Sequence, residues 1–456
     1  MQELGMKRAS DGNDPVLIVG GGFSGTLLAI NLARLGVPSV LFERDQTALA
    51  KGLAFGTRHP EHLLNVRASN MSAFPDDPQH FLRWLGFSRA EQANRFVPRL
   101  SYGQYLREIL LESLGRTTAR LAIRSDNVVD LREDGDGVIA VLANGATVPG
   151  RAAVLALGHF APRLPGLCRD IPSGLAVTDP WRGETLADLD PDAPLLLLGT
   201  GLTSVDVILS LDKAGHRGPI TALSRRGLMP RSHLPSGPAV DPVPPPAVRG
   251  IALLRAVRAR AQSVGWHHAV DELRPHTRAL WQAHDDRMQA RFLRHLRPYW
   301  DVHRHRLAPT IATRLAELVN EGRVTYRAGR LVEARQAGNR VAVTWRPRGT
   351  ERIEQLEAAR VINCIGPEGD IAQAPEPLLK ALLARGTVRP DTHRMGLDVD
   401  PDWRVRDEGG NASPRIHAVG PLTKGVAWEI IAVPDIRHQV WELARQLAAT
   451  RERVIA

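Results

Sequence analysis

The sequence predicts an α/β protein of two Rossmann-like dinucleotide-binding domains, each with a β-meander, plus a helical insertion. Three observations carry this expectation. An apolar run, Val16-Leu17-Ile18-Val19, feeds directly into the glycine pattern Gly20-x-Gly22-x-x-Gly25. A second run, Leu195-Leu196-Leu197-Leu198, feeds into Gly199-x-Gly201-x-x-Ser204 near the middle of the chain. Each pattern is followed by its own meander and then by an apolar strand ending in glycine, at Gly158 and at Gly366. At 456 residues the chain is too long for one hydrophobic core. The expected layout is 14–190 for the first part of one dinucleotide domain and 191–368 for the second domain. The helical insertion lies within the latter over 245–322, and 369–456 returns to the first domain.

Taken in order, the first strand ends at Gly20, which permits a tight turn. Gly22 lets the backbone approach a pyrophosphate, and Gly25 lets the helix pack closely on the strand. The helix start presents unpaired N–H groups and the positive end of its dipole to the phosphates. Leu28, Leu32 and Leu35 keep a helical spacing up to Gly36, and Val40-Leu41-Phe42 forms the next strand. It ends at Glu43, placed to accept hydrogen bonds from adenosine ribose hydroxyls. Residues 52–78 are rich in glycine and proline and lack a period, so they read as an ordered loop. Helices follow over 80–85 and 102–114. Asp136-Gly137 and Asn144-Gly145 turn a meander, and Val154-Leu155-Ala156-Leu157 is a buried strand. After a proline-punctuated connector the pattern restarts. Its helix begins at Thr203 and Ser204 and stops at Gly215, and its next strand ends in Ser224-Arg225-Arg226 rather than in an acid. Arginine there suits the extra 2′-phosphate of NADP, which an acid would repel. A proline-rich connector over 235–246 precedes Arg-rich helices from about 251 to 320. Gly338-Asn339 turns the second meander, which leads to Val361-Ile362-Asn363-Cys364-Ile365-Gly366. Ile416-His417-Ala418-Val419-Gly420 is a last strand, followed by a terminal helix.

Lys and Arg total 59 against 49 Asp and Glu, a net charge of +10, but only five are Lys and the charge is scattered. No basic stripe with interleaved aromatics appears, so nucleic-acid binding is not expected. The charge serves anionic cofactors and substrates better. Cys168 and Cys364 stand far apart with no C-x-x-C, which excludes a zinc ribbon and a dithiol redox pair. The insertion histidines lack metal-ligand spacing, so no metal is expected. No stretch approaches 18 apolar residues, so no membrane span is expected. The first 14 residues lack a signal-peptide core, which makes a cytoplasmic location the default. The oligomeric state is not legible.

Gly22-Phe23-Ser24-Gly25 together with 52–56, 62–66, 71–78 and 428–437 resembles a bacterial FAD/NAD(P)-binding flavoprotein family over nearly the whole chain. This family includes the FAD-dependent urate hydroxylase and is distantly similar to ornithine N-hydroxylases and Baeyer–Villiger-type monooxygenases. The resemblance implies FAD in the first domain, with Gly20, Gly22, Phe23, Ser24, Gly25 and Glu43 on its ADP part. Asn65 and Met71 would lie towards the flavin, with Gly158 at the strand end and Gly420 closing over the ring. The second domain would hold NAD(P)H through Gly199, Gly201, Thr203, Ser204, Arg225 and Arg226. Related reductases carry Gly-Asp where Gly420-Pro421 stands, so one carboxylate contact to the ribityl chain is missing. The implied activity is an FAD-dependent, NAD(P)H-consuming monooxygenase that inserts one oxygen atom from O2 into a small polar substrate. Urate, of purine catabolism, is the first choice, with Arg67, Arg99 and Arg437 as candidate ligands for the anion. An amine N-hydroxylase of the ornithine/lysine type is the alternative. A flavin reductase serving a partner protein and a non-catalytic nucleotide sensor are further readings.

Overall fold

The computed structural model describes residues 14–57, 59–115, 120–181, 188–235 and 243–455, with side chains to 451. The chain divides into two compact units. One comprises the residues up to 60, 66–160 and those from 369 on, and the other comprises 61–65 and 161–368.

The first unit opens with β1 (Val16–Val19), α1 (Phe23–Arg34) and β2 (Ser39–Phe42). Helix α1 is buried from Phe23 to Ala33, which is why its sequence is apolar nearly all round. Short helices α2 (Gly52–Phe55), α3 (His80–Trp84) and α4 (Ala90–Ala93) lead to the long α5 (Arg99–Gly115). The loop expected over 52–78 therefore holds one helical turn, and a 3-10 turn at Ala68–Asn70. Phe55 packs edge-on against Phe23 and tilts against Tyr102, so an aromatic cluster orders a segment that has no hydrophobic period. Strand β3 (Leu121–Arg124) adds to β2 in parallel; it is short and half-exposed, and the sequence pattern misses it. Strands β4 (Val128–Asp134), β5 (Gly137–Leu142) and β6 (Thr147–Gly150) form a separate antiparallel meander, and β7 (Ala152–Leu155) rejoins the main sheet.

The second unit contains β8 (Ala176–Val177), β9 (Leu195–Leu198), α6 (Leu202–Lys213) and β10 (Ile220–Ser224). Then come α7 (Gly250–Leu273), α8 (Thr277–Gln282), α9 (Asp286–His295), α10 (Arg297–Arg304) and α11 (Pro309–Asn320). Strands β11 (Val324–Ala337), β12 (Arg340–Pro347), β13 (Glu354–Ala358) and β14 (Arg360–Asn363) complete it, in the order β13-β12-β11-β10-β9-β14-β8. Two boundaries differ from the sequence layout. Strand β8 pairs with β14, so the described residues of 161–190 belong to the second unit rather than ending the first. Leu315 and Leu318 of α11 lie in the same core as Leu197, Ile208 and Val324, so α11 covers the sheet and the insertion stops short of it. The second meander also differs from the first. Strand β11 pairs in parallel with β10 through Ala328 and antiparallel with β12 beyond it, which makes the meander one sheet with the strands it follows. Helix α7 breaks at Gly265, where φ is 81°. Much of the connector expected over 235–246 lies outside the described residues.

The return segment supplies α12 (Pro377–Ala384), β15 (Arg404–Arg406), β16 (Ala412–Ala418) and α13 (Val433–Ile455). The first sheet reads β15-β16-β7-β1-β2-β3, parallel throughout except for β15 at its edge. The carboxyl ends of β2, β1, β7 and β16 thus lie side by side, the edge at which open α/β sheets bind ligands. Among the described residues no helix is long and apolar enough to cross a membrane.

Candidate functional site

In the first unit the turn after β1 hangs between its neighbours. The Gly20 N–H donates to Phe42 O on one side, and the Ala156 N–H donates to Val19 O on the other. Gly20 has φ 107°, and a Cβ there would stand 2.5 Å from Ala156 O. A Cβ on Gly25 would stand 1.9 Å from Gly20 O, so the first turn of α1 lies on the strand end with no room for a side chain. Gly22 is the N-cap of α1 and supplies no side-chain cap. The backbone of Gly52, itself at φ 54°, approaches Gly22, with 3.6 Å from a Gly22 Cβ to the Gly52 Cα. A Glu43 carboxylate oxygen accepts from the Gly21 N–H at 2.8 Å, and the other accepts from the Asp45 N–H at 2.9 Å. A carboxylate has further lone pairs to offer a ribose hydroxyl. The Thr26 hydroxyl donates to Gly21 O at 2.9 Å and locks the loop, although the glycine pattern assigns this position no role.

The second unit repeats these contacts. The Gly199 N–H donates to Leu223 O and the Cys364 N–H to Leu198 O. Gly199 has φ 117°, and its Cβ would meet Cys364 O at 2.4 Å. A Cβ on Gly201 would meet nothing within 4 Å, which leaves open space in front of the α6 N-terminus. Thr203 lies in the first turn of α6, and the Ser204 hydroxyl donates to Gly201 O at 2.7 Å where the first pattern has Gly25. Thr200 falls at a variable position of the glycine pattern. Its hydroxyl bonds Ser224 Oγ at 2.9 Å and donates to Leu228 O at 2.6 Å, which ties the glycine loop to the arginine-bearing strand end. Arg225 is exposed; the Arg226 guanidinium donates to Tyr299 Oη at 3.4 Å and to Arg294 O at 3.1 Å. Both glycine turns thus fit a dinucleotide: uncapped helix starts, backbones stripped of side chains, and strand ends carrying Glu43 in one unit and arginines in the other.

Further along the first edge, Gly158 (φ 68°) lies three residues beyond β7, and Gly420 (φ 72°) opens the 3-10 turn after β16. A Gly420 Cβ would meet Ser24 Oγ at 2.3 Å, so Gly420 abuts the first turn of α1. Its N–H donates to Gln439 Oε1 at 2.7 Å, a buried glutamine on α13 that also donates to Thr423 Oγ1. His159 follows Gly158, and one histidine after a glycine carries no sequence pattern. Burial lowers its pKa to about 4, with the charge of Lys424 acting in the same direction, although the side chain keeps accessible surface. Lys424 itself lies over the Trp428 ring at 5.1 Å. Tyr102 is fully buried, its hydroxyl has no partner among the described residues, and burial raises its pKa well above the ordinary value.

Met71 is buried in the first unit, whereas Asn65 packs in the second, its carbonyl accepting from His233 Nε2 at 3.0 Å. Arg67 is buried and donates to Asn94 O at 2.7 Å, with Phe96 under its guanidinium. Arg437 donates to Ser72 O at 3.0 Å. Both therefore hold main-chain carbonyls in place, while Arg99 begins α5 and is half-buried. The insertion histidines also take structural bonds, His267 to Ser232 O and His276 to Val243 O, both at 2.9 Å. Among the described residues no three metal-ligating side chains converge.

Residues 17–160 match the FAD-NAD(P)-binding family model. No curated protein sequence matches the chain. Several solved structures do. The ornithine N-hydroxylase of Kutzneria sp. 744, solved with reduced FAD, NADP+ and L-ornithine, is 16% identical over 97% of this chain and 100% of its own, with a TM-score of 0.65. The L-lysine 6-monooxygenase of Pseudomonas syringae is 16% identical over 97% and 100%, with a TM-score of 0.66. The thioredoxin reductase of Lactococcus lactis is 11% identical over 96% and 99%, with a TM-score of 0.56. The chain thus carries an FAD-NAD(P)-binding domain over 17–160, within a mixed α/β fold shared by flavin-dependent monooxygenases and reductases.

Proposed function

We propose that this chain is an FAD-dependent, NAD(P)H-consuming monooxygenase acting on an amine of the ornithine or lysine type. One observation carries the cofactor pair. Two glycine turns with matching hydrogen bonds end in opposite charges, Glu43 in one unit and Arg225-Arg226 in the other. An acid suits a free ribose, and arginines suit a phosphorylated one. When bound, FAD accepts a hydride from the nicotinamide and, once reduced, activates O2. In this reading Gly20, Gly22, Phe23, Ser24 and Gly25 hold the FAD pyrophosphate at the α1 start. Gly158 and Gly420 leave the backbone bare towards the flavin end, and Lys424 offers positive charge there. His159, neutral at physiological pH, can donate or accept one hydrogen bond without competing for that charge.

The cysteines support an oxygenase over a disulfide reductase. Cys168 and Cys364 are both free and buried, and burial pushes each thiol up. Such thiols are poor nucleophiles and offer no dithiol relay. Urate, the first substrate suggested by family resemblance, draws no support from the similar structures, and Arg67 and Arg437 are bonded to main-chain carbonyls. The N-hydroxylase alternative is the better supported.

The test is aerobic NADPH and NADH oxidation by flavin-loaded protein against ornithine, lysine, related diamines and urate, with product mass measured. Stimulation by an amine with a gain of one oxygen is expected. Urate stimulating turnover while every amine fails would overturn the substrate class. Oxidation with peroxide but no product from any substrate would favour a reductase serving a partner.

A further inference from the structure

The strand end that carries Arg225 and Arg226 is completed by residues from two distant parts of the second unit. Gly227 follows the pair at φ 61°, and a Cβ there would stand 2.9 Å from Ala328 N, so the turn lies directly on β11. Ala328 is the register partner of Ser224, and its carbonyl accepts from the Arg348 N–H at 2.8 Å. The β12–β13 hairpin thereby places Arg348 beside the arginine pair. From the other side, α9 directs its carboxyl-terminal carbonyls, Arg294 O and His295 O, at Arg226, as the negative end of a helix dipole should. Tyr299 of α10 lies under the Arg226 guanidinium, with 5.1 Å from Arg226 Cζ to the ring centre and a 3.4 Å hydrogen bond to its hydroxyl. A hydrogen bond from Arg348, joined by the charge and hydrogen bond of Arg226, holds the Tyr299 phenol below its ordinary pKa against the opposing effect of burial. Acids of the neighbourhood are already engaged, Glu351 by Arg346 and Asp301 by Arg297. Two guanidinium groups, Arg226 and Arg348, therefore meet at one phenol, which accepts from arginine and keeps its own proton to donate, and the exposed Arg225 precedes Arg226 in the chain.

We propose that Arg225, Arg226, Arg348 and Tyr299 form one phosphate site for the 2′-phosphate of NADPH, so that the helical insertion and the hairpin set the preference for NADPH over NADH. This rests on the reading of the second glycine turn as a nicotinamide dinucleotide site. Planar guanidinium forks match phosphate oxygens, and Thr200 fixes their distance from the glycine loop. The Tyr299 ring orients Arg226 while its hydroxyl donates to the phosphate.

Binding of 2′,5′-ADP and of 5′-AMP to the flavin-loaded full chain, measured by calorimetry, separates the two ideas. The wild type should bind 2′,5′-ADP about tenfold or more tightly than 5′-AMP, by a margin that shrinks as salt rises. Tyr299→Phe keeps the ring and removes only the donor; it and Arg348→Ala should each weaken 2′,5′-ADP about fivefold while leaving 5′-AMP within about twofold. Equal affinity of the wild type for both ligands would overturn the phosphate site alone, as would variants that leave 2′,5′-ADP binding unchanged or weaken both ligands alike. Failure of 5′-AMP, 2′,5′-ADP, NADH and NADPH all to bind would overturn the nicotinamide site and this inference with it.

Discussion

Single side chains in this protein are most informative where burial and charge disagree. His417 on β16 is buried, its Nδ1 has no partner among the described residues, and burial lowers its pKa from 6.5 to about 4. Below pH 6.5 the unfolded chain takes a proton there that the folded chain refuses. Stability from this group is therefore complete above pH 6.5 and is lost as pH falls towards 4, by about 3 kcal/mol in all. Denaturant midpoints measured between pH 7 and 4 should fall, and His417→Gln should flatten that fall. An unchanged slope in the variant would show that His417 is not the group responsible. His159 titrates in the same direction, but its accessible surface makes it a smaller contributor. Glu43 shows the opposite economy. Its carboxylate is held by two backbone N–H groups, so the residue the sequence assigns to a ribose also shapes the glycine turn.

At the level of elements, α1 and α6 are the same device at two tolerances. In α1 the third glycine position lies so close to the strand that any Cβ would collide with Gly20 O and press on Ala156 Cβ at 3.1 Å. In α6 a serine occupies that position and uses its hydroxyl on Gly201 O, so that helix needs no such approach. Gly25→Ala is accordingly expected to cost about 3 kcal/mol or more and to strip the protein of FAD, because the colliding atom is backbone and cannot rotate away. Urea unfolding and flavin absorbance check this; a yellow variant with an unchanged midpoint would refute the close approach. The reverse change, Ser204→Gly, removes one hydrogen bond only. The first meander depends on a different device. Arg385, just beyond α12, donates to both carboxylate oxygens of Asp130 on β4. Burial works to raise the Asp130 pKa, and its bonds to Arg385 and Arg132 outweigh it, so the carboxyl stays below its ordinary value.

For the whole molecule, two compact units each carry one glycine turn on the parallel part of a mixed sheet, and neither presents a thiol pair. Electrons drawn from NAD(P)H should then never pass through sulfur. A Cys168→Ala, Cys364→Ala double variant that folds, judged by circular dichroism, is expected to oxidise NADPH within about twofold of the wild type, since buried high-pKa thiols take no part in exchange. A loss of turnover in folded, flavin-loaded protein would instead reveal a sulfur relay and favour the reductase reading.

The sequence alone determined the two strand–glycine–helix units, the acid at one strand end and the arginines at the other. These are local features, set by apolar runs of strand length and by turns that only glycine can make. The tertiary structure decided what periodicity cannot encode. It placed 161–181 with the second unit through β8, and showed that α11 covers a sheet rather than belonging to the insertion. It also showed that β3, too short and exposed to register as a pattern, closes the first sheet. The pairing of Arg226 with Tyr299, and the placement of Arg348 beside them, required folding because their partners are separated by dozens of residues and meet only through strand register and helix packing. Arg67 and Arg437 make the complementary point. Each reads as a possible ligand in the chain, and each is bound in the fold to main-chain carbonyls, since a guanidinium that is buried, as in Arg67, or half-buried, as in Arg437, must find acceptors wherever the backbone offers them.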